Sequence, residues 1–232
     1  MLISVHLPKT AGASLRAALE EHFGDRLLWD YGDYPVNAST FGRNTRALRD
    51  CFKNARGGSE LQQFACIHGH FMPVKYRLLP MQSKKRYVTW MRDPIERLAS
   101  HYYYWVEHYE HEVVGKLQRR VLDEKWSLER FCLGPELRNI YSKFLFLFPL
   151  ADFDFIGITE FYDTDMVYFS RNILDVDLPV KRVNVNPRRK KTVYVEDLSL
   201  REKIERHHAA DMTLYRRALD LRQIRLSHQS ND

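Results

Sequence analysis

Three short stretches of this 232-residue chain collect residue types able to handle an anion. In "HLPKTAGAS", from His6 to Ser14, a lysine and two hydroxyls surround three small residues, just after the apolar run Leu2–Val5. A loop between a strand and a helix offers unpaired backbone N–H groups and the positive end of the helix dipole. Ala11, Gly12 and Ala13 let the backbone approach a phosphate closely, Lys9 adds a mobile charge, and Thr10 and Ser14 add donors. In "RDPIERLAS", Arg92 stands at the end of an apolar run and Ser100 eight positions later. A guanidinium and a hydroxyl converging in this way can hold a dianionic phosphate. In "HGH", His68 and His70 flank a glycine, so an extended backbone points both imidazoles to one side. Imidazole is the side chain whose ordinary pKa suits a general base near neutral pH.

Other chemistries fit less well. A nucleotide kinase or ATPase loop has its lysine after the second glycine and a Ser or Thr beside it for Mg²⁺. Here the lysine precedes the glycine, and no strand ends in an acidic residue well placed for a metal. A zinc site on His68 and His70 lacks a third ligand nearby. The chain carries 36 basic and 30 acidic residues, net +6, which suits an anionic ligand without demanding nucleic acid. The basic run "PRRKK", Pro187 to Lys191, reads on its own as a solvated face. Three cysteines without metal spacing argue against a disulfide framework and for a reducing compartment. With no secretory signal and no apolar run near the ~18 residues of a membrane span, the expectation is one cytoplasmic domain over residues 1–232.

The elements that must position these residues follow from periodicity. Leu2–Leu7 reads as a strand and Ser14–Phe23 as a helix with Leu15, Ala18, Leu19 and Phe23 on one face. Residues 30–60 read as loop with one short helix at Ala47–Lys53. Phe64–Ile67 is a strand stopping at "HGH", and Arg86–Met91 is another stopping at "RDP". The helix after it lines up Ile95, Leu98, Tyr102, Trp105 or Val106, and Tyr109. Ser127 caps a short helix, Pro135–Phe148 forms another, Asp154–Thr159 is a strand and Met166–Leu174 a helix. Ser199 and Glu202 open the last helix as a capping box, and it runs to about Gln223. This alternation predicts a three-layer α/β fold, a central parallel sheet with helices on both faces. Ligands then gather at the carboxyl ends of the strands, where all three motifs begin.

The motifs in this order resemble a known family. "PKTAGAS" looks like the 5′-phosphosulfate loop of sulfotransferases, and "RDPIERLAS" looks like their 3′-phosphate motif. With "HGH" between them, the arrangement resembles the heparan sulfate 2-O-sulfotransferase branch and related bacterial enzymes, from about Ile3 to Trp105 and more weakly beyond. The resemblance implies a P-loop NTPase-like sulfotransferase fold and the donor 3′-phosphoadenosine-5′-phosphosulfate (PAPS, leaving PAP), used without metal. It also implies that Lys9, Thr10, Ala11, Gly12, Ala13 and Ser14 grip the 5′-phosphosulfate, while Arg92 and Ser100 grip the 3′-phosphate. "VNVNPRRKKT" resembles the late basic loop of the family, with Arg188, Lys190 and Lys191 as donor contacts. His70 is the implied base and His68 its support, with Lys9 facing the leaving oxygen. His6 is expected to support the loop, Glu160 to orient a group or cap, and Tyr103 or Tyr104 to line an acceptor cleft. The expected acceptor is a hydroxyl, on a saccharide, with no nucleic acid partner and no membrane span. Two alternatives remain at this level: an atypical P-loop nucleotide kinase, and a non-catalytic module binding anionic glycans or nucleic acid.

Overall fold

Five apolar runs become strands: β1 (Leu2–Val5), β2 (Leu27–Asp30), β3 (Cys66–Gly69), β4 (Arg86–Met91) and β5 (Phe155–Ile158). The structure, a computed structural model, describes residues 1–33, 36, 38–82, 84–107, 115–178, 180 and 193–229. The strands form one sheet in the order β2-β3-β1-β4-β5, and every pairing is parallel. A parallel sheet is stable when both faces are covered, and all of β1, β3 and β5 is buried. Nine helices are described: α1 (Gly12–Phe23), α2 (Thr40–Gly57), α3 (Pro94–Glu107), α4 (Lys116–Asp123), α5 (Leu128–Leu133), α6 (Ile140–Phe144), α7 (Tyr162–Tyr168), α8 (Leu198–His207) and α9 (Ala209–Gln229).

Strand alternation sorts the core into two layers. Ile3, Val5, Ile67, Met91 and Ile158 meet apolar residues of α3, α5, α6, α8 and α9 on one face. Leu2, Cys66, Val88, Trp90 and Phe155 meet Leu15 and Leu19 of α1 and Met166 of α7 on the other. The expected parallel sheet with helices on both faces is therefore present.

Several boundaries differ from expectation, each for a local reason. Residues 30–60 hold an 18-residue helix, α2, capped by Ser39, whose hydroxyl accepts from Gly42 N–H. Its buried residues are Arg43, Ala47 and Cys51, which do not read as an apolar stripe. The expected Pro135–Phe148 helix shrinks to α6, because Asn139 and Leu147 take left-handed backbone on either side of it. Met166–Leu174 is split between α7 and a wider π-type turn over Phe169–Ile173. Asp197, not Ser199, caps α8, accepting from the N–H groups of Ser199 and Leu200. The terminal helix is broken at His208, whose buried ring donates to Cys132 C=O and accepts from Asn139 N–H. Ser127 caps α5 as expected. Strand β3 reaches Gly69, so His68 lies inside the sheet and only His70 lies past its end.

β1 occupies the middle of the sheet, between β3 and β4. The chain leaves β1 through α1 toward β2 and leaves β4 through α3 toward β5, so the two crossovers diverge. Such a divergence opens a crevice at the carboxyl ends of adjacent strands. Lys9 follows β1 and Arg92 follows β4.

Close packing of β5 on β4 yields a test. A Cβ added to Gly157 would lie 2.5 Å from the buried Trp90 indole. Gly157→Ala is expected to cost about 1–3 kcal/mol. For a chain of this size that lowers the thermal midpoint by roughly 2–12 °C, read by circular dichroism.

Candidate functional site

The loop after β1 is wound tightly. Lys9 and Ala11 both have left-handed backbone, with φ of 66° and 63°. Residues carrying a Cβ take that conformation at a cost of roughly 1–2 kcal/mol each, so the loop's surroundings must hold it. Thr10 contributes: its buried hydroxyl donates to Leu7 C=O at 2.8 Å. That hydroxyl proton is thus engaged within the loop. Ala11 C=O accepts from the N–H groups of Ser14 and Leu15, which leaves the N–H groups of Gly12 and Ala13 at the open start of α1.

Lys9 turns its ammonium over the Tyr104 ring, 3.7 Å from the centroid. Burial lowers its pKa to about 8, with help from the Arg92 charge and opposition from Glu107. The cation therefore persists at neutral pH, but desolvated and next to a second cation. Such a charge interacts strongly with an arriving anion.

Three imidazoles come together beside this loop. His6 stacks on His70 with centroids 4.2 Å apart and on His68 at 5.2 Å. His70 Nδ1 lies 2.6 Å from His6 C=O, and a carbonyl only accepts, so Nδ1 carries the proton and Nε2 keeps its lone pair. His68 is fully buried, with Nδ1 on the Ser4 hydroxyl at 2.8 Å and Nε2 lacking a hydrogen-bond partner among the described residues. His70 remains partly exposed. The two glycines nearby are dictated by contacts. A Cβ on Gly69 would lie 1.8 Å from Asp30 C=O, and one on Gly12 would lie 1.6 Å from His6 Nε2. Burial lowers the pKa of all three histidines, and their mutual repulsion lowers it further for His6 and His68, which falls to about 3. For His70, the bond to His6 C=O works against that lowering.

Arg92 stands at the end of β4, its side chain 12% exposed. Asp93 Oδ1 caps α3, accepting from the N–H groups of Ile95 and Glu96. Ser100 lies on the buried side of α3. Glu160 faces the Arg92 turn from the end of β5, where burial raises its pKa. Arg188, Lys190 and Lys191 lie outside the described residues, as does Tyr109. The described chain thus brings together Lys9, His6, His68 and His70, with Arg92 close enough to perturb Lys9.

Sequence reasoning missed four residues. Tyr31 donates to or accepts from His6 Nδ1 at 3.0 Å and packs edge-on to His70. It follows β2 as the other motifs follow their strands, and recognising β2 is the signal that finds it. Tyr141 binds the backbone of Arg92. Arg97 is fully buried, and none of its three nitrogens has a hydrogen-bond partner among the described residues. His101, one helical turn on, has an unpartnered Nδ1 in the same sense, and its pKa is lowered by burial and then by Arg97, Lys9 and His70. No group of three or more His, Cys, Asp or Glu able to hold a metal occurs among the described residues. No family model matches the chain, and no curated protein matches it.

The buried histidines make an acid-stability test. Their folded pKa values lie below the unfolded value of about 6.5, so the unfolded chain binds protons first as pH falls. Stability is whole above about pH 6.5 and declines toward pH 3 for His68 and pH 4 for His208. At about pH 5 each costs on the order of 2 kcal/mol. His68→Asn is expected to remove its share, narrowing the gap in urea midpoint between about pH 7.5 and pH 5.

Proposed function

We propose that the protein is a metal-independent sulfotransferase, moving a sulfuryl group from 3′-phosphoadenosine-5′-phosphosulfate to an acceptor hydroxyl. The observation that supports this best is the convergence of three unlike groups at one sheet edge. They are the Lys9 ammonium beside the start of α1, the His70 imidazole with its Nδ1 proton held by His6 C=O, and the Arg92 guanidinium at the end of β4. The strand order and the loop after β1 agree with a P-loop-like sulfotransferase fold.

In this reading the Gly12 and Ala13 N–H groups and Lys9 hold the 5′-phosphosulfate, and Arg92 with Ser100 takes the 3′-phosphate. The acceptor O–H gives its proton to His70 Nε2 as its oxygen bonds to sulfur. The bond from sulfur to the phosphate oxygen breaks, and negative charge grows on that oxygen. Lys9 meets the growing charge in a desolvated setting, where electrostatic stabilisation is large. The leaving group is 3′-phosphoadenosine-5′-phosphate. His70 is suited to the first step because burial keeps it neutral and its Nδ1 bond orients it. His68 is a positioning residue, buried in the sheet behind the reacting edge.

The acceptor we propose is a saccharide hydroxyl on an acidic chain. Arg97 lies under the same region with no hydrogen-bond partner among the described residues and adds positive potential to that of Lys9 and Arg92. The three cysteines are free and buried, which agrees with a cytoplasmic enzyme. No described helix is long and apolar enough to cross a membrane, and no nucleic acid partner is needed.

Two measurements test the reading. The product nucleotide is expected to raise the melting temperature far more than AMP, by about 2.7 kcal/mol of stabilisation at a hundredfold excess over Kd. Arg92→Ala removes the difference; equal shifts in the unaltered protein end the 3′-phosphate assignment. With labelled donor and an acceptor panel, turnover is expected to survive EDTA. His70→Ala lowers kcat by about 10²–10⁴-fold and erases the acidic limb of the pH–rate profile, with donor affinity unchanged. Turnover of ATP that requires Mg²⁺ makes the protein a kinase instead.

A further inference from the structure

The turn between β4 and α3 is held in an unusual way. Where the chain leaves β1, a backbone bond continues the sheet, with His6 N–H donating to Gly69 C=O at 2.8 Å. Where it leaves β4, four successive backbone groups are each taken by a side chain from elsewhere. The Thr159 hydroxyl donates to Met91 C=O at 3.0 Å. Arg92 N–H donates to the Tyr141 oxygen at 3.0 Å, and the same hydroxyl donates to Arg92 C=O at 2.6 Å. Asp93 N–H donates to Glu160 Oε1 at 3.0 Å.

These side chains are themselves anchored. Tyr141 is fully buried, and the Asp211 carboxylate of α9 accepts from the N–H groups of Tyr141 and Ser142, both at 3.0 Å. Glu160 accepts from the Tyr215 hydroxyl of α9 through its other oxygen, at 3.1 Å. Glu160 Oε1 also lies 4.0 Å from Arg92 Nε, beyond hydrogen-bond reach. A carboxylate at that distance attracts the Nε edge of a guanidinium and leaves the opposite edge, with its paired N–H donors, for a ligand.

We propose that Tyr141, Thr159 and Glu160 are positioning residues that preset Arg92, and thereby set the preference for a 3′,5′-bisphosphorylated nucleoside over a 5′-monophosphate. The inference rests on the assignment of Arg92 to the 3′-phosphate made above. A guanidinium whose backbone is fixed at both ends loses little freedom when it meets a phosphate. One left on a loose turn must be ordered by the ligand.

Calorimetric titration of the full chain with adenosine 3′,5′-bisphosphate and with AMP tests this. Tyr141→Phe keeps the ring beside Arg97 and removes the hydroxyl; Glu160→Ala removes a carboxylate that is a third exposed. Each is expected to weaken the bisphosphate about five- to tenfold while AMP affinity changes less than about twofold. Parallel loss for both nucleotides, or an unchanged ratio, overturns the positioning role. If Tyr141→Phe does not fold, the Glu160→Ala ratio alone decides in the same terms. An unaltered protein that does not discriminate between the nucleotides brings down the Arg92 assignment itself, and the inference with it. Discrimination that Arg92→Ala abolishes but both variants retain leaves the assignment standing and the positioning role refuted.

Discussion

The parallel pairing of β1 with β3 on one side and β4 on the other constrains everything else in the site. Parallel strands end at a common edge, so the loop of Lys9, the ring of His70 and the side chain of Arg92 arrive there without any need for long excursions. The same pairing requires both faces of the sheet to be covered. That is why a short sequence such as Leu2–Val5 is apolar on both sides apart from Ser4, whose hydroxyl is taken by His68. Register then does chemical work. Ser4 lies opposite His68 and Val5 opposite Gly69, so the residue after each strand, His6 and His70, meets ring to ring.

Charge in the site is arranged with little compensation. Lys9, Arg92 and Arg97 approach one another, and burial penalises each charge that it encloses. For Arg97 the relief comes from the Tyr141 ring and the Asp211 carboxylate at a distance, with no direct ion pair among the described residues. Leaving a buried cation without a hydrogen-bonded partner is destabilising by several kcal/mol on general grounds, about 3–5 when a partner is lost. On the proposed function, groups kept in this way near one edge serve an arriving anion at a cost in stability.

Much of this was legible in the sequence because strand and helix signals are local. The apolar runs of β1, β4 and β5, the small residues after Lys9 and the cap at Ser127 were all visible as patterns of neighbouring residue types. What escaped depends on contacts between distant segments. β2 is only four residues long and α2 buries Arg43, Ala47 and Cys51, so neither shows clear periodicity. Tyr31 was hidden along with β2. Tyr141 sits in a five-residue helix defined by left-handed residues on both flanks, a choice made by packing against α9 rather than by propensity. The partner of the Thr10 hydroxyl was hidden for a related reason: the tightness of the loop turns it back onto Leu7 C=O.

The His6 ring and Gly12 share one wall, with no room between them for even a methyl group. One side of that wall is the loop after β1 and the other is the stack that carries His70. The two positions are therefore not free to vary alone: a side chain at 12 demands a smaller one at 6, and a smaller one at 6 leaves a void unless 12 grows. In contact pairs of this kind substitution effects do not add, with coupling of about 0.5–3 kcal/mol. Among descendants of this chain, residues 6 and 12 should thus drift as a pair, so that the history of the loop after β1 is also written in the residue that holds the histidine stack.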